Sequence, residues 1–275
     1  MIIRLLTICV LLACLAGNAF AWGSKGHKVV GLIAEQHLSA EAAAQVRTIL
    51  AAEGYRSLDE ITIWADHVRH LKVPRQPSHK VSLREGDTPY DPSVDCSKRG
   101  CAISTIVEAI AVLRDSKAHN EAKLFMLKYL VHLVGDLHTP LHATAAGTKE
   151  QVSFLGKEMS LHRLWDVGLI SATRLDPDQI VVSIDPATIR AAVTSQVIDP
   201  VEWAYEGRRI VENRILVGDL AQSGYASYDE DYLEQNWPIV QERLGTAGGR
   251  LAMILNDIFA ATPKAKSEPD HSDEP

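Results

Sequence analysis

The sequence predicts an all-α protein, a single-domain bundle of many helices. Three observations predict it. Apolar residues recur at three- and four-residue intervals through most of the 275 residues. Helix-start signatures precede several of these runs, as in Ser57-x-x-Glu60 and Asp199-Pro200-x-Glu202. The length suits one domain with a full-sized core, and the chain shows neither an internal repeat nor a linker between domains.

The elements follow in order. Residues 1–21 read as a secretory signal, with Arg4 at its basic start, an apolar run from Leu5 to Leu15, and Ala19-Phe20-Ala21 as the cleavage site. The run is too short to cross a membrane, and no later segment is apolar enough to do so. A lipoprotein box around Cys14 is the weaker reading, because its second position is poor. Cleavage after Ala21 sends the chain to the periplasm or outside the cell. Gly26–Leu38 is periodic, and an Ala-rich helix opens at Ser39 and stops at Gly54. The capping pair Ser57/Glu60 starts a third helix through Val68. Residues 71–100 form the one long irregular region. Helices resume over Ala102–Ser116 and from Asn120 to about Leu137, and Pro140 ends or bends the latter. Ala143–Gly156 is a second loop, Leu161–Ser171 a short helix, and 173–185 a loop with an extended piece at Ile180-Val-Val. Helices then run over about Val201–Leu220, Ser227–Leu244 and Ala247–Ala261, with Pro238 inside the second. Residues 262–275 read as a polar, disordered tail, which leaves 22–261 as the domain.

Composition excludes some functions. The net charge is −7, and the leader holds one Arg and no acid, so the remainder carries −8. That argues against sequence-independent binding to duplex nucleic acid through neutralised phosphates. It does not exclude a phosphate substrate, because bound cations can dominate a local field. Cys9 and Cys14 leave with the leader. Cys96 and Cys101 then flank a short polar turn in a chain bound for an oxidising compartment, so a small-loop disulfide is expected and a thiolate zinc site is not.

The chemistry concentrates in Tyr129-Leu-Val-His132-Leu-Val-Gly-Asp136-Leu-His-Thr-Pro140-Leu-His142. His132 and Asp136 are four apart, one turn above the other on one helix face, and Pro140 delivers His142 just beyond. Such a pair alone is often only a hydrogen bond. The rest of the chain adds His27, Asp66 on the third helix, His79, and His162 with Asp166 at the same four-residue spacing. Five histidines and three aspartates without thiolates suit a catalytic metal site, and eight ligands are too many for one zinc. His37, His67, His70, His119, His138 and His271 fall outside the set; His138 points away from the face of His132 and Asp136.

The order Trp22-Gly-x-x-Gly-His27, Trp64-Ala-Asp66-x-x-Arg69, His79, His132-x3-Asp136-x5-His142 and Leu-His162-x-x-Trp-Asp166 resembles the zinc-dependent single-strand nuclease and 3′-nucleotidase family. The bundle is shared there with zinc phospholipase C. The resemblance spans residues 22–166 and implies three zinc ions. Trp22, through a freed amine and its carbonyl, joins His27 on one; Asp66, His79 and His132 hold a second; Asp136 bridges the two. His142, His162 and Asp166 hold the third. It further implies a metal-activated hydroxide attacking phosphorus, Arg69 and Asp136 as catalytic groups, single-stranded RNA or DNA cut to 5′-phosphate products, and removal of 3′-phosphates from nucleotides by a monomeric enzyme.

The pattern departs where the base should lie. Lys80 and Ser82 replace the usual aromatic and Asp after His79, the loop over 143–151 is short, and Ser160 stands where Asn is usual. Lys80 and Ser160 are therefore candidate substrate contacts, and Tyr90 could supply a stacking face. Two rivals differ in kind. A zinc phospholipase C has a longer spacing from Trp to the first His and Glu in place of Asp166. A non-catalytic zinc-binding relative has no use for Arg69.

Overall fold

The computed structural model describes residues 22–69, 76–84, 86, 88–145 and 150–260. The expected signal 1–21 and tail 262–275 lie outside them. Thirteen α-helices carry the described chain: α1 Gly23–Gln36, α2 Ala40–Leu50, α3 Trp64–Val68, α4 Pro92–Asp95, α5 Ala102–Arg114, α6 Asn120–Leu137, α7 Leu161–Arg163, α8 Leu169–Ala172, α9 Pro177–Ser183, α10 Pro186–Thr194, α11 Pro200–Ile210, α12 Gly218–Ser223 and α13 Glu230–Ile258. The expected all-α bundle is what forms. No helix among the described residues is long and apolar enough to cross a membrane.

Helix α6 is the hub. Every residue from Met126 to Leu137 is buried, and α1, α2, α3, α5, α11 and α13 all pack on it. A helix apolar on all sides reaches this position because only complete enclosure hides it from water. One exception proves informative. Lys128 is 2 % exposed. Its Nζ lies 2.7 Å from Glu53 Oε2 and about 5 Å from the ring centres of Tyr55 and Trp64. The charge is thus neutralised and cushioned by aromatic faces, and it ties α6 to the residue that opens α3.

Several expectations need correction. Ser57 and Glu60 form no capping box. Ser57 Oγ donates to Asp59, Glu60 accepts from Arg56 N–H, and a 3₁₀ turn over Leu58–Glu60 delays the helix to Trp64. The loop expected over 143–156 contains strand β1 (Gln151–Phe154), which pairs antiparallel with β2 (Lys157–Ser160) and parallel with β3 (Tyr225–Tyr228). Leu155 and Gly156 both take positive φ in the two-residue hairpin turn. Asn or Asp usually announces that turn, and Leu hid it. Ile180-Val-Val is not extended but lies in α9, whose Asp176/Gln179 capping box and Pro177 are ordinary start signals. Helix α10 begins likewise at Asp185-Pro186. The helix expected over 201–220 divides into α11, a π-turn at Val211–Ile215, and α12.

The break expected between Leu244 and Ala247 does not exist. Helix α13 runs unbroken through Gly245, Gly248 and Gly249, with Pro238 inside it. These glycines serve close approach. A Cβ on Gly248 would sit 2.5 Å from Ile33 of α1, and one on Gly249 would sit 2.6 Å from Ala192 of α10. The expected disulfide does form between Cys96 and Cys101, with Cα atoms 5.2 Å apart.

His138, just past α6, faces the other way from the site helix face. Its Nδ1 bonds Val134 O at 2.7 Å, and Nε2 meets Arg250 Nη1 at 2.9 Å. Arg250 and the buried Arg243 both donate to Glu206, at 2.6 and 2.7 Å. Burial would raise the Glu206 pKa, but the two guanidinium groups outweigh it and hold it below the ordinary range. A depressed pKa means stability that is complete above the ordinary glutamate value and is lost as pH falls through the folded one. Glu206→Ala is expected to lower unfolding stability by about 2–3 kcal/mol, discounted for partial exposure. Glu206→Gln should flatten the acid limb of the stability curve. Urea unfolding at several pH values checks both.

Candidate metal centre

Six separate segments bring their side chains together here. Helix α1 supplies His27, α3 supplies Asp66, the following extended stretch supplies His79, and α6 supplies His132 and Asp136. A 3₁₀ turn over Pro140–His142 supplies His142, and α7 with the π-turn Leu164–Gly168 supplies His162 and Asp166. All eight are buried. Ser160, a candidate substrate contact, is the N-cap of α7, accepting from Arg163 N–H at 3.2 Å. Strand β2 runs directly into that cap, so the unforeseen sheet sets where His162 stands.

Asp136 lies at the centre. Its Oδ1 is 3.3 Å from His27 Nε2, and its Oδ2 is 3.1 Å from both His79 Nδ1 and His132 Nε2. Asp66 Oδ1 is 3.5 Å from His79 and 3.6 Å from His132. Asp166 reaches His142 Nε2 at 3.7 Å and His162 Nδ1 at 2.6 Å. Potential ligand atoms thus fall into three groups: His27, Asp66 and His132; His79, His132 and Asp136; His142, His162 and Asp166.

Apart from His132 Nε2 and His79 Nδ1, which meet at 3.1 Å, most of the donor atoms are close yet not hydrogen-bonded. Both carboxylate oxygens of Asp66, Asp136 and Asp166, both nitrogens of His27 and His162, and Nε2 of His142 are buried without a hydrogen-bond partner among the described residues. Leaving so many polar atoms unsatisfied is costly, and native interiors avoid it. Cations resolve the problem. Two ligand atoms about 2.0–2.1 Å from a tetrahedral ion stand about 3.3 Å apart, which is the scale of most spacings above. The donor set therefore fits divalent cations. Ring orientation is fixed from behind by backbone carbonyls: Thr62 O accepts from His132 Nδ1 at 2.7 Å, and His79 O accepts from His142 Nδ1 at 3.1 Å.

Electrostatics follow the burial. Desolvation lowers the His27 pKa to about 4, and it raises that of Asp66 to about 6. Burial would lower His132 too, but Asp136 and Asp66 beside it push the imidazole up to about 9. Burial would raise Asp136, yet His132 and the other imidazoles hold it well below the usual carboxylate range. Desolvation depresses His79 and His162. Neutral imidazole is the form that takes a metal ion.

Trp22 is wholly buried and sits at the start of α1, where its carbonyl accepts from Gly26 N–H at 3.0 Å. Arg69 is half-exposed, with Nη1 3.6 Å from Asp66. It lines a cavity of about 380 Å³ together with His79 and Lys80. Burial lowers the Lys80 pKa. Tyr90 lies elsewhere: its hydroxyl is 3.9 Å from Cys101 Sγ, against the disulfide, and it does not line that cavity. A larger cleft of about 720 Å³, walled by Glu206, Arg209, Arg214 and Arg243, contains none of these side chains.

A family model described as S1/P1 Nuclease matches residues 22–260. The chain belongs to the S1/P1 nuclease family. Among its curated relatives, Nuclease S1 of Aspergillus oryzae is 27 % identical, over 94 % of this chain and 99 % of the relative. Nuclease P1 of Penicillium citrinum is 26 % identical over 87 % and 98 %, and Endonuclease 2 of Arabidopsis thaliana 24 % over 94 % and 97 %. In this S1/P1 family member, sequence reasoning overlooked Gly135. A Cβ there would sit 2.8 Å from His27 Nδ1. A glycine inside an apolar helix, one residue before Asp136, was the available signal. Gly135→Ala is expected to displace the His27 ring and cost about 1–3 kcal/mol by overpacking. Metal content and melting temperature, measured together, should both fall; full metal content would show that the ring has room to move.

Proposed function

We propose that this chain is a zinc-dependent phosphodiesterase that hydrolyses single-stranded RNA or DNA to 5′-phosphate products and removes 3′-phosphates from nucleotides. The observation that carries the reading is the buried His/Asp cluster opening beside an arginine and a lysine. Nucleases are what the relatives are named for, and the His/Asp donor set without thiolate suits zinc. Three ions are proposed. His27 and the amine of a cleaved Trp22 hold one, Asp66, His79 and His132 the second, with Asp136 between them, and His142, His162 and Asp166 hold the third. When bound, such ions supply a nucleophile at neutral pH and offset charge on phosphate.

The protein's own residues do the rest. Asp136 would offer Oδ1 to an ion beside His27 and Oδ2 to one beside His79 and His132. Arg69 reaches the non-bridging oxygens of the phosphate with a planar, permanently charged fork. Its tie to Asp66 aims it at the cluster before substrate arrives. Lys80 adds a second cation at the same rim, where a family aromatic would stack on a base. Thr62 and His79 carbonyls hold the imidazoles to one orientation as charge develops. The disulfide supports an oxidising destination, in keeping with residues 1–21 as a cleaved signal and 22–261 as the working domain.

Metal analysis of protein beginning at Trp22, paired with single-stranded nucleic acid, 3′-nucleotides and phosphatidylcholine as substrates, tests the reading. Hydrolysis of the nucleotide esters is expected; turnover of the lipid alone would favour a phospholipase. Arg69→Ala should lower kcat about 10²–10³-fold with zinc content unchanged, and zinc loss in that variant would contradict its assignment. One extra alanine before Trp22 is expected to remove one ion from the count, since an amide nitrogen cannot replace the amine.

A further inference from the structure

Beyond the cluster, the cavity lined by Arg69 and Lys80 does not end at His79. It also takes in Pro77, Ser97 and Arg99. A second cavity, again about 380 Å³, shares Pro77 and Arg99 with it and continues to Thr105, Glu108, Phe125, Met126 and Tyr129. The two together make a groove that leaves the metal centre and runs across α5 and α6.

Its two halves differ chemically. The near half is cationic. Neither the Lys80 ammonium nor the Arg99 guanidinium has an ion-pair partner among the described residues, so both charges are available. The backbone of Arg99 is also held in place. It lies inside the ring closed by Cys96 and Cys101. Within that ring Gly100 N–H donates to Ser97 O at 2.9 Å, and Ser78 N–H donates to Gly100 O at 3.0 Å. The disulfide loop is thus stapled to the residue before His79, and its cation stands on the wall of the groove.

The far half is aromatic. Phe125 is 44 % exposed, although it sits on the most buried helix of the protein. Perpendicular contacts with Trp64 at 5.5 Å and Tyr129 at 5.2 Å set its ring plane. Such a ring is a platform held ready at little entropic cost. Glu108 places an acid in this half, which suits an uncharged base and disfavours a phosphate.

We propose that this groove binds a nucleotide flanking the scissile phosphate of a single-stranded polynucleotide, with backbone phosphate on Arg99 and a base on Phe125. The assignment rests on the phosphoesterase reading, and extends it from a single ester to a strand. Alternation of free cations with a fixed ring is what sequence-tolerant single-strand binding requires. A duplex does not qualify, because its bases are stacked on each other and offer no face.

The test separates strand from ester. Binding of a fluorescent single-stranded phosphorothioate oligothymidylate is measured over a range of salt for the zinc-loaded protein, Arg99→Ala, Phe125→Ala and Phe125→Tyr. In parallel, hydrolysis of a 3′-mononucleotide is followed. Phe125→Ala should weaken oligonucleotide binding at least about fivefold, and Phe125→Tyr should restore it. Arg99→Ala should reduce the log–log salt slope by about 0.7. Mononucleotide hydrolysis should be unchanged in all three. Undiminished oligonucleotide binding in both alanine variants overturns the proposal, and so does a parallel loss of mononucleotide turnover, which would mean a disturbed metal centre. Displacement by poly-glutamate as effective as by oligonucleotide would reduce the groove to charge alone. If the unaltered protein hydrolyses no nucleotide ester, the phosphoesterase reading fails, while the binding arm still decides the groove.

Discussion

Three buried carboxylates set the terms for this protein. Asp66, Asp136 and Asp166 are each at most 2 % exposed. A buried carboxylate without compensation is expensive, and here the compensation must come from imidazoles and cations gathered on the same few ångströms. Stacked rings flank Asp136 and Asp166 instead of an apolar core: the His27 and His132 ring centres lie 4.0 Å apart beside Asp136, and those of His142 and His162 lie 4.9 Å apart beside Asp166. Everything else in the fold can be read as the framework that keeps such a cluster from collapsing into a nearest hydrogen-bonding arrangement.

The framework works by closeness. Glycines at 31, 135 and 248 let α1 press onto the turn before α3, α6 and α13, with side chains less than 3 Å from where a Cβ would be. Close approach brings His27 to Asp136 although more than a hundred residues separate them. On the opposite face of the same region, His138, Arg243, Arg250 and Glu206 form a second polar group with its hydrogen bonds complete. The contrast is instructive. One buried polar network is self-satisfied and structural; the other leaves its oxygens bare and so is fitted to ligands from outside.

Sequence signals were readable wherever chemistry was local. The four-residue spacing of His132 and Asp136 needs only a helix, and Pro140 shows where that helix stops. Cap residues announced α2 and α11. The same rules were present, and went unused, at Asp176-Pro177-x-Gln179 and Asp185-Pro186. Ser57 and Glu60 misled because a motif describes what side chains can do; Asp59 and Arg56 offered nearer partners. Gly245 reads as a break in a helix, because a sequence does not reveal whether a glycine is there for a turn or for a neighbour.

What the sequence determined by itself is the inventory: an α-helical domain, five histidines and three aspartates in an order that resembles one family, and two cysteines in position to pair. Only the tertiary structure decided their relation. It placed Asp136 between His27 and the His79–His132 pair, turned His138 away, gave Ser160 to a helix cap, and set Tyr90 against the disulfide. The physical reason is that side-chain direction depends on how helices cross, and crossing is set by contacts between residues far apart in the chain. Spacing along a helix survives translation from text to space; distance between helices is created only when they pack.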